Sequence, residues 1–429
     1  MKKMKLCLPV GWRMIKARYL FRFSRGYTIG RADMGDTGVA CIHYGDIHGD
    51  YHFAIDINTA RLGRIDEPLR FGVSEYVSAG QFLFAGSSED YEGSGNFTLI
   101  RGNRSAIAGT DTIVLTPYSD MDVDYTAYLF DSLFFREQIR PHMMGTKVFH
   151  PSQKVIKSAW CIVPPQNESR QIVQYLNRET LWIDGLIEKL RREVELLEQY
   201  RREFVWDILT SGLEPNVATH ESNVDWIGSI PNTWSTIPVR RLFKIVKRIE
   251  PEFSDQILSI TQKGIVPKDL SSHFGQLAES YDAYQRVDVG DYAMNSMDLL
   301  TGWVDRSEYD GITSPDYRVF RLRSHIAAEP RYFTHILQMG YTRRIFYRFG
   351  QGVSNLGRWR LQPKVFLNMK FPLPPLEEQV AIADCIEDKY AEIESTVAGI
   401  NRQIELLEQY RKQIINDVVT GKIRVGEVA

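Results

Sequence analysis

The run Glu195-Leu196-Leu197-Glu198-Gln199-Tyr200-Arg201 recurs, residue for residue, as Glu405-Leu406-Leu407-Glu408-Gln409-Tyr410-Arg411, 210 positions later. An identity of that length does not arise by chance within one chain, so the same local structure must be built twice. Around each copy, apolar residues climb in steps of three and four. The first ladder is Val173, Leu176, Thr180, Ile183, Ile187, Leu190, Val194, Leu197, Arg201, Phe204 and Ile208. The second, 210 residues on, is Ala383, Ile386, Tyr390, Ile393, Val397, Ile400, Ile404, Leu407, Arg411, Ile414 and Val418. Such a ladder is a coiled-coil seam, roughly 43 residues and so about 60 Å long. A lone helix would leave that stripe wet, so pairing is required. With a globular region between the helices, antiparallel pairing with each other is the economical solution. Its expected core positions are Ile183, Leu190, Leu197 and Phe204 against Ile393, Ile400, Leu407 and Ile414. Arg201 and Arg411 fall on the seam, where a charged rung sets register; pairing with Glu across the helices is expected.

The helix ends are also written in the sequence. Pro164-Pro165 and Pro374-Pro375 precede them at the same 210-residue spacing. Proline disfavours helix in the residue before it and is tolerated in a first turn. Glu168, Glu377 and Glu378 suit the positive end of the macrodipole. Gly212 and Gly421 mark the stops, since glycine adopts the left-handed conformation that closes helices.

Followed outward, the duplication extends over half the chain. Pro9-Val10-Gly11-Trp12 and Arg18-Tyr19-Leu20-Phe21 match Pro231-Asn232-Thr233-Trp234 and Arg240-Arg241-Leu242-Phe243 at an offset of 222. Tyr76 to Phe82 parallels Arg286 to Tyr292 at an offset of 210, and Tyr128-Leu129-Phe130 echoes Tyr332-Phe333-Thr334. Changing offsets mean a kept scaffold with loops of different length. Short strands are expected at 39–42, 81–85, 112–115, 256–260 and 317–322, and helices near 125–139 and 330–345. The fold class is therefore α+β: two globular domains joined by two long helices paired as an antiparallel coiled coil, a pseudo-twofold tandem repeat. The expected division is 1–160 and 213–370 for the domains, 161–212 for the central helix, and 371–429 for the last helix and tail.

Composition excludes several classes. No apolar run approaches the roughly 18–20 residues that span a bilayer, and the basic start breaks at Pro9-Val10-Gly11, so a cytoplasmic location is expected. Cys7, Cys41, Cys161 and Cys385 are scattered, which suits reduced thiols without metal or disulfide. The net charge of −2 divides unevenly. Residues 1–160 carry 19 Lys and Arg against 17 Asp and Glu, and 213–370 carry 20 against 17. The helical parts are acidic, with 7 against 9 in 161–212 and 6 against 11 in 371–429. Mildly basic domains on acidic helices permit nucleic-acid binding by the domains.

The best cluster for it is Arg343, Arg344, Arg348, Gln351, Ser354, Asn355, Arg358 and Arg360, interleaved with Tyr347, Phe349 and Trp359. No acidic residue interrupts it from Arg331 to Lys370. Arginine and lysine supply phosphate contacts, while Arg, Asn, Gln and Ser reach base edges. The first domain offers a thinner counterpart in Arg136, Arg140, His142, Lys147 and His150. A second pair of candidates is the polar, glycine-containing loop after the first strand of each domain: Tyr44 and His48 in one, Gln262 and Lys263 in the other. An ordinary hairpin turn explains that loop equally well. His43, His48 and His52 lack convincing ligand spacing, so no metal site is expected.

The opening Pro374-Pro375-Leu376-Glu377-Glu378-Gln379 and the close Val419-Thr420-Gly421-Lys422-Ile423, within this domain–helix–domain–helix layout, resemble the specificity subunit of type I restriction-modification systems. Trp226-Ile227-Gly228 to Pro231 and Ser314-Pro315-Asp316-Tyr317 also look like that family's second recognition domain. The first helix departs from the pattern, opening on Gln166-Asn167-Glu168-Ser169-Arg170. The resemblance implies two target-recognition domains, each reading half of a bipartite, asymmetric duplex DNA site. It implies two partner subunits that methylate adenine at N6, with S-adenosylmethionine bound on them and no cofactor here, and restriction subunits as further partners. It also implies a chain without catalysis of its own, and the sequence contains no Asn-Pro-Pro-aromatic motif and no GxxxxGK[ST] loop. A coiled-coil adaptor binding proteins through its globular ends is the alternative.

Overall fold

The computed structural model describes residues 8–29, 33–65, 76–89, 91–118, 121–142, 149–254, 256–268, 280–352 and 359–428. Two long helices dominate, Gln166–Ser211 and Leu376–Val419, each starting directly after its Pro-Pro pair. The chain forms two compact units, one of residues 1–190 with 401–429 and one of residues 191–400. Neither unit owns a whole helix; each contains one globular domain and a part of both.

Within the first unit the helix parts run antiparallel. Glu168, near the start of the central helix, meets Arg424 beyond the end of the last one (3.3 Å), and Asp184 meets Arg411 (2.8 Å). Within the second unit, Arg201 lies 5.2 Å over the Tyr390 ring and Lys389 5.9 Å over the Phe204 ring. The seam positions Ile183, Ile393, Ile400 and Ile414 are buried, and Leu190, Leu197, Phe204 and Leu407 are half-buried. The charged rungs correct the expectation of Arg–Glu pairs across the helices. Arg411 does cross, but to Asp184, with two guanidinium–carboxylate bonds (2.8 and 3.3 Å). Arg201 pairs with Glu198 on its own helix (3.0 Å) and spends its face on Tyr390.

The first domain is built on a five-stranded sheet in the order Phe21–Arg25, Thr112–Pro117, Phe82–Ala85, Phe97–Arg101, Phe53–Asp56, antiparallel except for the last pair. Phe21, Phe82, Phe84, Phe97, Phe130 and Phe135 interlock beneath it, with Phe130 and Phe135 at 4.6 Å between centroids. The second domain holds a four-stranded sheet, Phe243–Ile245, Arg318–Leu322, Tyr292–Met294, Val304–Arg306. Phe243, Tyr292, Phe320 and Phe333 fill the same role, and Phe243 is the counterpart of Phe21. The segment expected as one helix over 125–139 is two, Val123–Asp131 and Leu133–Ile139. Ser132, in extended conformation, caps the second by accepting from the Phe135 amide (3.3 Å).

Each domain is fastened to the helices in the same way. A strand at the domain's start pairs with the strand that enters the helix: Arg13 opposite Val163 in one unit, Ser235 opposite Leu373 in the other. The matched tryptophans donate to a first-turn glutamate, Trp12 to Glu168 and Trp234 to Glu378, both at 2.9 Å. The helix stops close against the same place. Gly421 (φ +74°) abuts Pro9 and Trp12, and Gly212 (φ +79°) abuts Pro231 and Trp234, so a side chain at either glycine would meet both strain and a wall.

Candidate nucleic-acid interface

In the second domain, the helix Pro330–Thr342 buries Tyr332, Phe333, Ile336 and Leu337 and ends where Arg344 turns left-handed (φ 56°). A single turn, Ile345–Arg348, follows and buries Ile345 and Phe346. The chain then enters a two-rung ladder in which Gln351 lies opposite Arg360 and Gly352 opposite Trp359. Tyr347 packs on Trp359 at 4.9 Å, which fixes the ladder to the turn. Arg344, Arg348, Gln351 and Arg360 are thereby exposed together on one ridge with Phe349. Ser354, Asn355 and Arg358 lie outside the described residues.

Most other arginines of this unit are already occupied. Arg248, Arg286 and Arg321 are held by Asp288, Asp291 and Glu250. Arg331 contacts Glu329, Asp384 and Glu387. Arg343, expected among the readers, pairs instead with Glu203 and lies 5.1 Å over Trp206. Among the described residues, Arg344, Arg348 and Arg360 have no carboxylate partner. Three uncompensated guanidiniums beside an exposed amide suit a polyanion that also presents base edges.

Gln262 and Lys263 form the exposed turn between strands Leu258–Thr261 and Gly264–Pro267. Thr261 pins the turn by accepting from the Lys263 amide (3.1 Å). The turn borders a cleft of about 640 Å³ whose other walls include Arg201, Arg202, Arg306 and His335.

The first domain places its candidates differently. Tyr44 and His48 stand on a short helix, Tyr44–His48, not on a hairpin loop. The His43 side chain and Asp46 cap that helix reciprocally, which is why the chain coils there. His48 is engaged by the Ser87 carbonyl (2.7 Å) and Asn96 (3.1 Å). Asn96 in turn accepts from Arg136 (3.0 Å), whose other arm reaches Asp131 (3.0 Å). Arg136 is buried, and Arg140, half-buried, donates to the Glu92 carbonyl; burial and then the Arg136 charge lower its pKa. Asp131 is approached by His52 (3.4 Å) and Arg411 (3.6 Å). Burial alone would raise its pKa, but the His52 bond and the charges of Arg136 and Arg411 hold it well below the carboxylate range. The structure thus gathers Arg136 and His48 into an internal network rather than an exposed ridge. Lys147 lies outside the described residues. Tyr44 is half-buried against the His48 ring (6.4 Å).

Cys41 and Cys161 are buried free thiols; burial, and then the Asp46 charge, pushes Cys41 to about 12. Among the described residues no His, Cys, Asp and Glu cluster could hold a metal, and no helix is long and apolar enough to cross a membrane.

Two surfaces escaped the sequence reading. In the repeated run, Leu196 and Tyr200 are each 49% exposed, and Leu406 and Tyr410 each 48%. Their identity in both copies is therefore not required by the seam. The other surface is basic and occurs in both domains. Its signal was available: residues 1–32 and 138–167, which meet in the first domain, contain no Asp or Glu.

Comparison with known proteins points one way. A family model for the type I restriction modification DNA specificity domain matches residues 288–406, which contain the ridge. The type I restriction enzyme MjaVIII specificity subunit of Methanocaldococcus jannaschii is 23% identical over 320 residues, covering 70% of each chain. The MjaX specificity subunit of the same organism is 23% identical over 398 residues, covering 86% of this chain and 84% of its own. Among solved structures, a chain from a type I R-M system assembly study has a TM-score of 0.69 at 14% identity, covering 97% of this chain and 100% of that one. The HsdS subunit from Thermoanaerobacter tengcongensis has a TM-score of 0.52 at 16% identity, covering 99% and 100%. At those identities the structural likeness speaks for the fold.

Proposed function

From the premise that this chain carries the type I restriction-modification DNA specificity domain and is similar to type I specificity subunits along most of its length, we propose that each of its two domains reads one half of a bipartite, asymmetric duplex DNA site. The chain is the non-catalytic, DNA-recognising partner in such a system. The paired helices set the distance between half-sites and seat two adenine-N6 methyltransferase subunits, which bring S-adenosylmethionine; restriction subunits join the same assembly. Work on chromosomal DNA places it in the cytoplasm. The observation that carries the reading is the ridge of Arg344, Arg348 and Arg360, uncompensated and beside Gln351. Phosphate contacts of this kind supply affinity with a steep salt dependence. The twice-exposed Leu–Tyr pair supplies two chemically identical seats, as two copies of one partner would require.

The test is binding of the full chain, with its modification subunits, to duplex DNA over a series of salt concentrations. Replacing Arg344, Arg348 and Arg360 by alanine should weaken binding at least tenfold and flatten the salt slope by about 2–3. A complex that binds no duplex, with or without its site, would leave only the adaptor reading, which the exposed Leu–Tyr pairs satisfy equally well.

A further inference from the structure

In both domains the same elements bring together two stretches of chain that lack acidic residues. In the first unit these are residues 1–32 and 138–167, and in the second 226–249 and 330–376. They meet through the strand pairs that enter the helices, Arg13 opposite Val163 and Ser235 opposite Leu373. The junction is the same in detail. The Ala17 amide donates to the Ala159 carbonyl (2.9 Å), and its counterpart, the Val239 amide, donates to the Met369 carbonyl (2.8 Å).

Around each junction three of the cations stand at matching positions. Arg18 and Arg240 lie in the turn after the first strand, and Arg22 and Lys244 in the sheet strand that follows. Lys154 and Lys364 lie in the first turn of the short helix before the last strand. All six are exposed. Only Arg240 has a polar side-chain partner among the described residues, the neutral amide of Asn368. Neighbouring lysines rest on rings, Lys16 5.0 Å over Trp160 and Lys157 5.2 Å over Phe23.

A solvated surface has no reason to repeat its cations at equivalent positions while loops around it diverge. Nor has it reason to exclude Asp and Glu in a chain that carries more of them (54) than Lys and Arg (52). We infer that each domain carries, apart from its reading surface, the same sequence-independent phosphate-contacting face, formed by Arg18, Arg22 and Lys154 in one and by Arg240, Lys244 and Lys364 in the other. The inference rests on the DNA-recognition reading. Phosphate contacts fix register and orientation without carrying sequence information, so they alone can be identical in two domains that read different bases.

The test uses the full chain with its modification subunits and two triple variants, R18A/R22A/K154A and R240A/K244A/K364A, with random-sequence duplex and with site-containing duplex. Each triple should lower affinity about tenfold for both duplexes and flatten the log–log salt slope by about 2–3. The positions of methylated adenines should stay the same, and R18K/R22K/K154R should bind as the unaltered chain does. Thermal midpoints should not change, because all six side chains are exposed. Unaltered affinity and slope in either triple would overturn the shared face. Loss of modification-subunit co-purification with DNA binding intact would overturn it in favour of a protein interface. Failure of the unaltered complex to bind any duplex sinks the recognition reading itself, a result separable from the others.

Discussion

Asp131 and His335 occupy the same place in the two units, the residue that follows the matched Tyr128-Leu129-Phe130 and Tyr332-Phe333-Thr334 segments. Each faces the paired helices, and the chemistry around them is opposite. Asp131 sits among Arg136, His52 and Arg411, and the last of these also bonds Asp184. His335 is buried with neither ring nitrogen partnered among the described residues. Its Nε2 lies 3.9 Å from Glu387, beyond hydrogen-bond reach, and its ring meets Tyr390 edge-on at 5.7 Å. Burial, and then the Arg331 charge, lowers its pKa to about 4. At this one position an ion network in the first unit is replaced by a neutral aromatic contact in the second, where the ion pairs to the long helix come instead from Arg331, one turn earlier. The lesson is that the repeat keeps shape at this junction and leaves charge free to vary.

The largest way to break the comparison is D131A. It strands the buried Arg136 guanidinium, and removing one partner of a buried pair costs about 3–5 kcal/mol. Denaturant unfolding should show the loss, whereas H335L, at the equivalent place, should be neutral or stabilising. A destabilised H335L would mean that the histidine has a hidden partner. Acidification should separate the units next. The folded-state pKa of His335 lies below its ordinary 6.5, so the unfolded chain takes up that proton first. Stability therefore falls as pH drops from 6.5 to about 4, by about 3 kcal/mol, and H335L should flatten that slope. Asp131 acts in the same direction but at lower pH. Its folded pKa lies below the ordinary 3.8, so its contribution is full above that value and is lost only beneath it. A pH series of thermal midpoints for the unaltered chain, H335L and D131N decides the matter.

Smaller effects come from E168Q and E378Q, the first of which also gives up the ion pair to Arg424. Each weakens one indole–carboxylate bond, and each should cost about 1–2 kcal/mol, because hydrogen bonds to charged groups are worth about that much. Losses that differ by more than the roughly 1 kcal/mol of the Arg424–Glu168 pair would show that the two fastenings are alike in geometry only. The smallest difference concerns the seam: R411A loses a two-pronged bond and should cost about 1 kcal/mol, against roughly half that for R201A.

What could be read from the sequence follows the range of the interactions. Helix starts, stops and seam are encoded within a few residues of one another, so the Pro-Pro pairs and the three–four ladder placed both helices. Val39–Ile42 was legible for the same reason. The break at Ser132 was missed because a serine cap inside an apolar run looks like an ordinary helical position. Arg136 and Arg343 looked like readers because their partners, Asn96 and Glu203, lie 40 and 140 residues away. The ridge was visible as a run of arginines. That Arg344, Arg348 and Arg360 stay uncompensated while Arg343 is paired depends on which carboxylates fold back, and no local pattern records that.

The glycine that ends the last helix adds a topological consequence. Gly421 rests on Pro9 and Trp12 as Gly212 rests on Pro231 and Trp234, but only the second pair is joined by continuous chain, through residues 213–230. Linking residue 423 to residue 8 with a segment of similar length would make the chain a closed loop of two like arcs. Either connection could then be cut. The order of the two domains along the polypeptide is in that sense a convention of where the loop opens, and a circularly permuted chain opened within 213–218 should keep the fastenings of both units.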